Sequence, residues 1–173
     1  PQGFETLALL ILEQQVSIDS AKATFVKLKK AISVFSEENV YAFSDADFRL
    51  CGVSRQKTLY IKSLATAVLN GQLNIESLAY KNADLVRNEL IKIKGIGNWT
   101  VDVYLMFCLN SLDIIPLGDI AIINTMKELF DLHTKDEMDE KAKNWQPYRS
   151  VATYFLWHYY LKKRGREISY NIL

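Results

Sequence analysis

The stretch LIKIKGIGNWTVDVYLMF, residues 90–107, decides how the chain is read. Apolar positions before and within it, Leu85, Val86, Leu90 and Ile93, recur at helical spacing, and so do Val101, Tyr104, Leu105 and Cys108 after the glycines. The reading is a helix ending near Ile93, a turn from Lys94 to Gly97, and a second helix starting at Asn98 or Trp99. Glycine takes φ > 0 without steric cost and lets the backbone approach another surface, so Gly95 and Gly97 permit a tight helix-to-helix hairpin. Its turn N–H groups, together with the start of the second helix, form a site for an anion such as a phosphate, with Lys92 and Lys94 adding charge. On its own, a GxG between helices is more often an αα-hairpin with no ligand.

Working outward, the same period runs through Leu7, Leu10 and Ile11, through Phe25, Leu28, Ile32 and Phe35, and through Tyr60, Leu64 and Val68. Short polar residues that can satisfy free N–H groups precede these runs: Ser44, Ser54, and either Asn82 or Asp84. Beyond Asn110 a non-helical link, SLDIIPLGD, leads to a helical run through Ile122, Ile123, Met126, Leu129 and Phe130. Between Asp131 and Glu140 five acids face one lysine, the pattern of a solvated linker. A last helix is expected from near Pro147, through Val151, Tyr154, Phe155, Trp157, His158 and Leu161. The expected fold is all-α, with seven to nine helices and neither strand nor repeat.

Composition narrows the classes. The 173 residues are 49% apolar, enough for one sizeable core or two small ones, and the formal net charge is +1. Any nucleic-acid site is therefore a local patch rather than a global field. Cys51 and Cys108 sit among apolar neighbours and read as buried free thiols, not as a disulfide or metal cluster. No apolar run approaches the roughly 20 residues of a membrane span, and no leader pattern precedes a cleavage site. A soluble chain in a reducing compartment is expected; it opens on Pro1, straight into an apolar helix pattern, which leaves two readings, upstream residues removed or a short member. His133 and His158 lack partners at triad or metal spacing.

Asp119 follows Gly97 by 22 positions and closes the turn PLGD, at the start of the next helix. There it is an N-cap or something more. IKGIGNWT followed by PLGD resembles the helix-hairpin-helix (HhH-GPD) DNA glycosylase superfamily, marked by a hairpin and then a Gly/Pro-rich loop ending in the catalytic Asp. LILEQQVS at 10–17, GVSRQKTLYIKSLA at 52–65 and WQPYRSVATYFLW at 145–157 resemble its 3-methyladenine DNA glycosylase II branch. The likeness covers nearly the whole chain.

The resemblance implies two helical subdomains with an active-site cleft between them. One would span residues 3–111, with the helix-hairpin-helix at about 85–109. The other would be mainly 112–173, beginning with the Gly/Pro-Asp loop and normally completed by residues before Pro1. The implied activity is monofunctional: alkylated purines of the 3-methyladenine type are flipped from duplex DNA and hydrolysed from the sugar, leaving an abasic site in base excision repair. By the same likeness Asp119 is catalytic and Trp99 and Trp157 stack on the base. Gln15 plugs the gap it leaves, with Gln14 supporting that loop unless the two amides merely cap the helix end. Lys94, Gly95, Gly97 and Thr100 face DNA, and the carbonyls of Ile91, Ile93 and Ile96 are a place for a sodium or potassium ion. No cofactor is required. Some relatives carry four cysteines for an iron–sulfur cluster, whereas this chain has none after Cys108.

In superfamily members that attack the sugar covalently, a lysine stands two positions after the second hairpin glycine; here that residue is Trp99, which cannot form a Schiff base. An electron-rich indole suits a positively charged purine. Where the branch often has two further aromatics this chain has Val103 and Ile120, which leaves the breadth of substrates open. Trp145–Ser150 is expected to pack the last helix against the Asp119 loop, with Arg149 pairing an acid there or touching a phosphate. The expected partner is duplex DNA carrying alkylated bases, met by a monomer in a bacterial cytoplasm (nucleoid) or a eukaryotic nucleus. The competing readings are a non-catalytic helix-hairpin-helix DNA-binding module and a glycosylase for other damaged or mismatched bases.

Overall fold

Short polar caps set the helix starts in the computed structural model, which describes residues 3–166. Ser17, Ser36, Ser44 and Ser54 each accept the N–H three residues on, opening α2 (Ile18–Ala31), α3 (Glu37–Ala42), α4 (Asp45–Leu50) and α5 (Arg55–Leu69). Of the two candidates, Asn82 rather than Asp84 caps α6 (Ala83–Leu90), accepting from Leu85 N at 2.9 Å. Each such cap contributes about 1 kcal/mol. The remaining elements are α1 (Phe4–Glu13), a 3-10 turn at Glu76–Tyr80, α7 (Asn98–Phe107), α8 (Ile120–Phe130), α9 (Lys135–Lys143) and α10 (Arg149–Lys163).

Every regular element among the described residues is helical, as expected. The ten α-helices among them exceed the seven to nine anticipated. The surplus is α3 and α4, six residues each and too short to display a period, and α9. That last helix corrects the reading of 131–140 as a linker. It buries only Met138 and Ala142, and a capping box between Thr134 and Glu137 opens it. The final helix starts at Arg149, two residues after Pro147, which follows a cis peptide bond outside it. No helix among the described residues is long and apolar enough to cross a membrane.

The chain divides into two compact units, with the boundary between Val101 and Asp102, inside α7. The expected boundary at 111/112 lies ten residues later. The C-terminal half of α7 packs with the second unit, where Phe107 meets Tyr154 and Trp157. Residues 167–173 of the expected second subdomain lie outside the described residues.

In the first unit α1 is apolar all round and is the central element: Phe4 and every residue from Thr6 to Leu12 are buried. It packs on α2 and on α5, and α5 also carries α3 and α4. Cys51 is buried and free.

The second unit closes α8, α9 and α10 around Ile122, Met126, Met138 and Leu156, rimmed by Ile115, Leu117, Phe130 and Trp145. Cys108 is likewise buried and outside any disulfide, and burial pushes its thiol up to about 11. The link before Asp119 is fastened to the start of α10, as expected for the segment Trp145–Ser150. Ser150 Oγ accepts from Ile114 N at 3.0 Å and donates to Ser111 O at 2.6 Å, and Thr153 Oγ1 donates to Ile114 O at 3.1 Å. Arg149 pairs with Asp113 through Nε–Oδ1 at 2.7 Å and Nη2–Oδ2 at 2.9 Å. It is thus the partner of an acid, the first of its two expected roles.

This pair sets a pH dependence. The hydrogen-bonded Arg149 guanidinium holds the Asp113 carboxyl below its ordinary range. A depressed folded-state pKa stabilises above the unfolded value, about 3.9, and that contribution is lost as pH falls through the folded value. Asp113→Asn should therefore melt below wild type at neutral pH, and the gap should close as pH drops below about 4. Thermal melts across that range check it.

Candidate functional site

The loop after α1 is built by contacts from distant parts of the first unit. Gln14 follows the last residue of α1 as its C-cap, and Gln15 is exposed with φ 59°, a left-handed conformation unusual outside glycine. The Gln14 amide does not cap its own helix. Nε2 donates to Gly95 O at 2.8 Å and to Thr100 Oγ1 at 3.1 Å, so both of its protons are used across 81 and 86 residues of chain. Lys57 Nζ donates to Leu12 O at 2.6 Å, and its burial lowers the ammonium's pKa. Burial also raises the Glu13 carboxyl, opposed by the nearby charge of Lys22.

The hairpin follows the expected order with an earlier helix end. α6 stops at Leu90, three residues before Ile93, and the turn tightens through Ile93 N to Leu90 O and Ile96 N to Ile93 O, both 3.0 Å. Gly95 has φ +93°, and a Cβ there would lie 2.1 Å from Tyr60 Cγ, so the turn rests directly on the Tyr60 ring. Gln56 Nε2 holds the Tyr60 hydroxyl at 2.7 Å. Gly97 differs: its φ is ordinary and a Cβ would meet nothing within 4 Å, so only the second of the expected glycine arguments applies to it, the open approach. Val101 N to Gly97 O, 3.1 Å, starts the α7 ladder, and Arg87 Nη1 ties α6 to Asn98 Oδ1 at 3.1 Å.

Around this turn Ile93 and Ile96 are buried, while Lys92, Lys94 and Gly97 are exposed. Trp99 is half-buried. Thr100 is 1% exposed and its hydroxyl receives Gln14, so its side chain is engaged within the first unit.

Asp119 belongs to the second unit and opens α8. Its N–H closes the PLGD turn on Pro116 O at 2.9 Å, and its Oδ1 accepts from Ala121 N at 2.8 Å and Ile122 N at 3.2 Å. The N-cap reading is thus realised, and it fixes the carboxylate's direction at a half-exposed position. Trp157, on α10, is half-buried; its indole stacks on Phe107, with centroids 5.7 Å apart and planes at 21°, and meets the edge of Tyr154. One of its faces is therefore already covered. Lys57, Tyr60, Phe107 and Tyr154 carry no mark of these contacts in the sequence; Lys57 and Tyr60 lie in the quoted stretch 52–65, where only helix period and cap are visible. Among the described residues no group of three or more His, Cys, Asp or Glu could hold a metal.

The family model for the HhH-GPD superfamily base excision DNA repair protein matches residues 9–149. A DNA-3-methyladenine glycosylase of Bacillus subtilis is 31% identical over 172 residues, covering 91% of this chain, and the chain spans 57% of that relative's length. The crystal structure of a DNA-3-methyladenine glycosidase from Bacillus halodurans superimposes with a TM-score of 0.82 at 31% identity, covering 98% of this chain and 81% of that one. A 3-methyladenine DNA glycosylase of Schizosaccharomyces pombe, solved with abasic DNA, gives 0.81 at 30%, covering 89% and 78%.

Proposed function

The chain belongs to the HhH-GPD superfamily of base excision DNA repair proteins, and from that premise we propose that it is a monofunctional DNA glycosylase releasing alkylated purines of the 3-methyladenine type from duplex DNA. The observation that carries the reading is Asp119, a carboxylate held by two backbone donors behind a Pro/Gly turn.

The glycosidic bond lies inside the base stack, so the nucleotide is first extruded. Exposed Gln15 fills the gap, its loop held by Gln14 and Lys57. The N–H groups at the start of α7 take a backbone phosphate, helped by Lys94 and Lys92 and by the open approach at Gly97. Thr100 acts from behind, through Gln14. The Trp99 face, with Trp157 in support, receives the purine, whose ring-nitrogen alkylation makes it cationic. As the C1′–N bond breaks, that base departs neutral with the bonding electrons and needs no proton from the protein. The sugar becomes oxocarbenium-like, Asp119 stabilises it, and water adds at C1′ and loses a proton.

The carbonyls of Ile91, Ile93 and Ile96 suit a sodium or potassium ion by donor type, although Ile93 O already accepts from Ile96 N and retains one lone pair. Such an ion would add positive charge at the phosphate grip. The expected habit is a monomer working where DNA lies, in a bacterial cytoplasm or a eukaryotic nucleus.

The test is release of free methylated purines from alkylated duplex DNA. Wild type should release them, and borohydride added during turnover should trap no protein–DNA adduct, because Trp99 offers no amine. Intact duplex binding without release would leave a DNA-binding module; a trapped adduct would overturn the single-step hydrolysis.

A further inference from the structure

Beside the hairpin, on the outer face of α5, lies a groove of about 350 Å³. Its floor is apolar, formed by Leu59, Ala67 and Ile93, and three lysines stand on it, Lys62, Lys92 and Lys94. Among the described residues no acid lines it. Ser63 and Thr66 donate their hydroxyls back to carbonyls of their own helix, Leu59 O and Lys62 O, both at 2.8 Å. The groove's donors are therefore mainly cationic. Lys62 is paired with Asp45 at 2.7 Å, but Asp45 is well exposed, and such a surface pair yields readily to a stronger anion.

We propose that this groove is a second phosphate site, holding a sugar–phosphate unit of the same DNA strand next to the one gripped by the hairpin. The inference rests on the DNA-binding reading above. Three observations select a DNA strand over other anions. Residues 92–94 form both the groove wall and the entry to the Gly95 turn, so the two surfaces are continuous. The apolar floor matches a deoxyribose, and the lysines match the phosphate beside it. The volume is near the lower end of ligand pockets, room for one sugar–phosphate unit rather than a folded partner.

The experiment measures binding of a duplex carrying an abasic-site analogue, by anisotropy across a salt series, for wild type, Lys62→Gln and Thr66→Glu. Both positions lie on the outer face of α5, and melting curves confirm that the variants fold. A protein neutralising one phosphate fewer loses about 0.9 from the slope of log K against log salt. Each variant should show that loss. At low salt Lys62→Gln should weaken binding about fivefold, and Thr66→Glu, which places a carboxylate in the groove, more than about tenfold. Slopes equal to wild type in both variants would overturn the groove while leaving the DNA reading intact. A wild type that does not bind the duplex would overturn both.

Discussion

Exchanging Asp119 for asparagine lowers the single-turnover rate of base release by a factor of at least about a hundred, the scale on which electrostatic stabilisation of a developing charge is usually lost. The substitution isolates charge from structure. Asparagine retains an Oδ1 acceptor for Ala121 N and Ile122 N, the two donors that orient the carboxylate, and it ranks with aspartate as an N-cap. α8 and the core around Ile122 and Met126 should therefore be undisturbed, and the urea midpoint should stay near wild type. What disappears is the negative charge that, on the proposed reading, faces the oxocarbenium-like sugar. A rate close to wild type would remove Asp119 from the chemistry and leave it only its cap. A fall in rate accompanied by an equal fall in stability would mean that the cap had been disturbed.

The second large effect is on the fold. Gly95→Ala should destabilise the first unit by about 3 kcal/mol, from a left-handed conformation costing about 1–3 kcal/mol and overpacking costing a similar amount. The added carbon would lie 2.1 Å from Tyr60 Cγ and 2.5 Å from Tyr60 Cβ, atoms too close to the α5 backbone to swing away. Gly97→Ala is the natural partner experiment. Nothing stands within 4 Å of the place its methyl would take and its φ is ordinary, so stability should hold while duplex affinity falls, because the methyl occupies the open approach. Urea unfolding and duplex binding on the two variants separate these outcomes. Equal destabilisation of both would show that the hairpin tolerates or rejects side chains for reasons other than the Tyr60 contact.

The hairpin and the Asp119 turn are legible in the sequence because glycine and proline punctuate them, and local backbone requirements leave local marks. The helix end is not, because Ile93 is buried without being helical: burial supplies the apolar period although the helix has already ended at Leu90. α9 is hidden for the opposite reason, since it buries so little that charge outweighs period, although Thr134 followed by Glu137 is a visible start signal. The contacts that hold the candidate site are out of reach altogether. Gln14 to Gly95, Lys57 to Leu12 and Phe107 to Trp157 join residues separated by 45 positions or more in chain order, and no spacing rule links them. Thr100 misleads on that account: next to a hairpin it resembles a surface residue, and only the Gln14 amide reaching across the unit shows it buried.

That one amide has a wider consequence. With one proton on Gly95 O and the other on Thr100 Oγ1, Gln14 joins the end of the first helix to both sides of the hairpin turn. The exposed glutamine beside it and the turn N–H groups are thereby set in one rigid body before any nucleic acid arrives. The entropy of ordering them is spent when the chain folds, so it need not be taken from the free energy of association. On the proposed reading, a chain whose formal net charge is only +1 can then hold a strand through few contacts, because those contacts are preorganised rather than assembled on arrival.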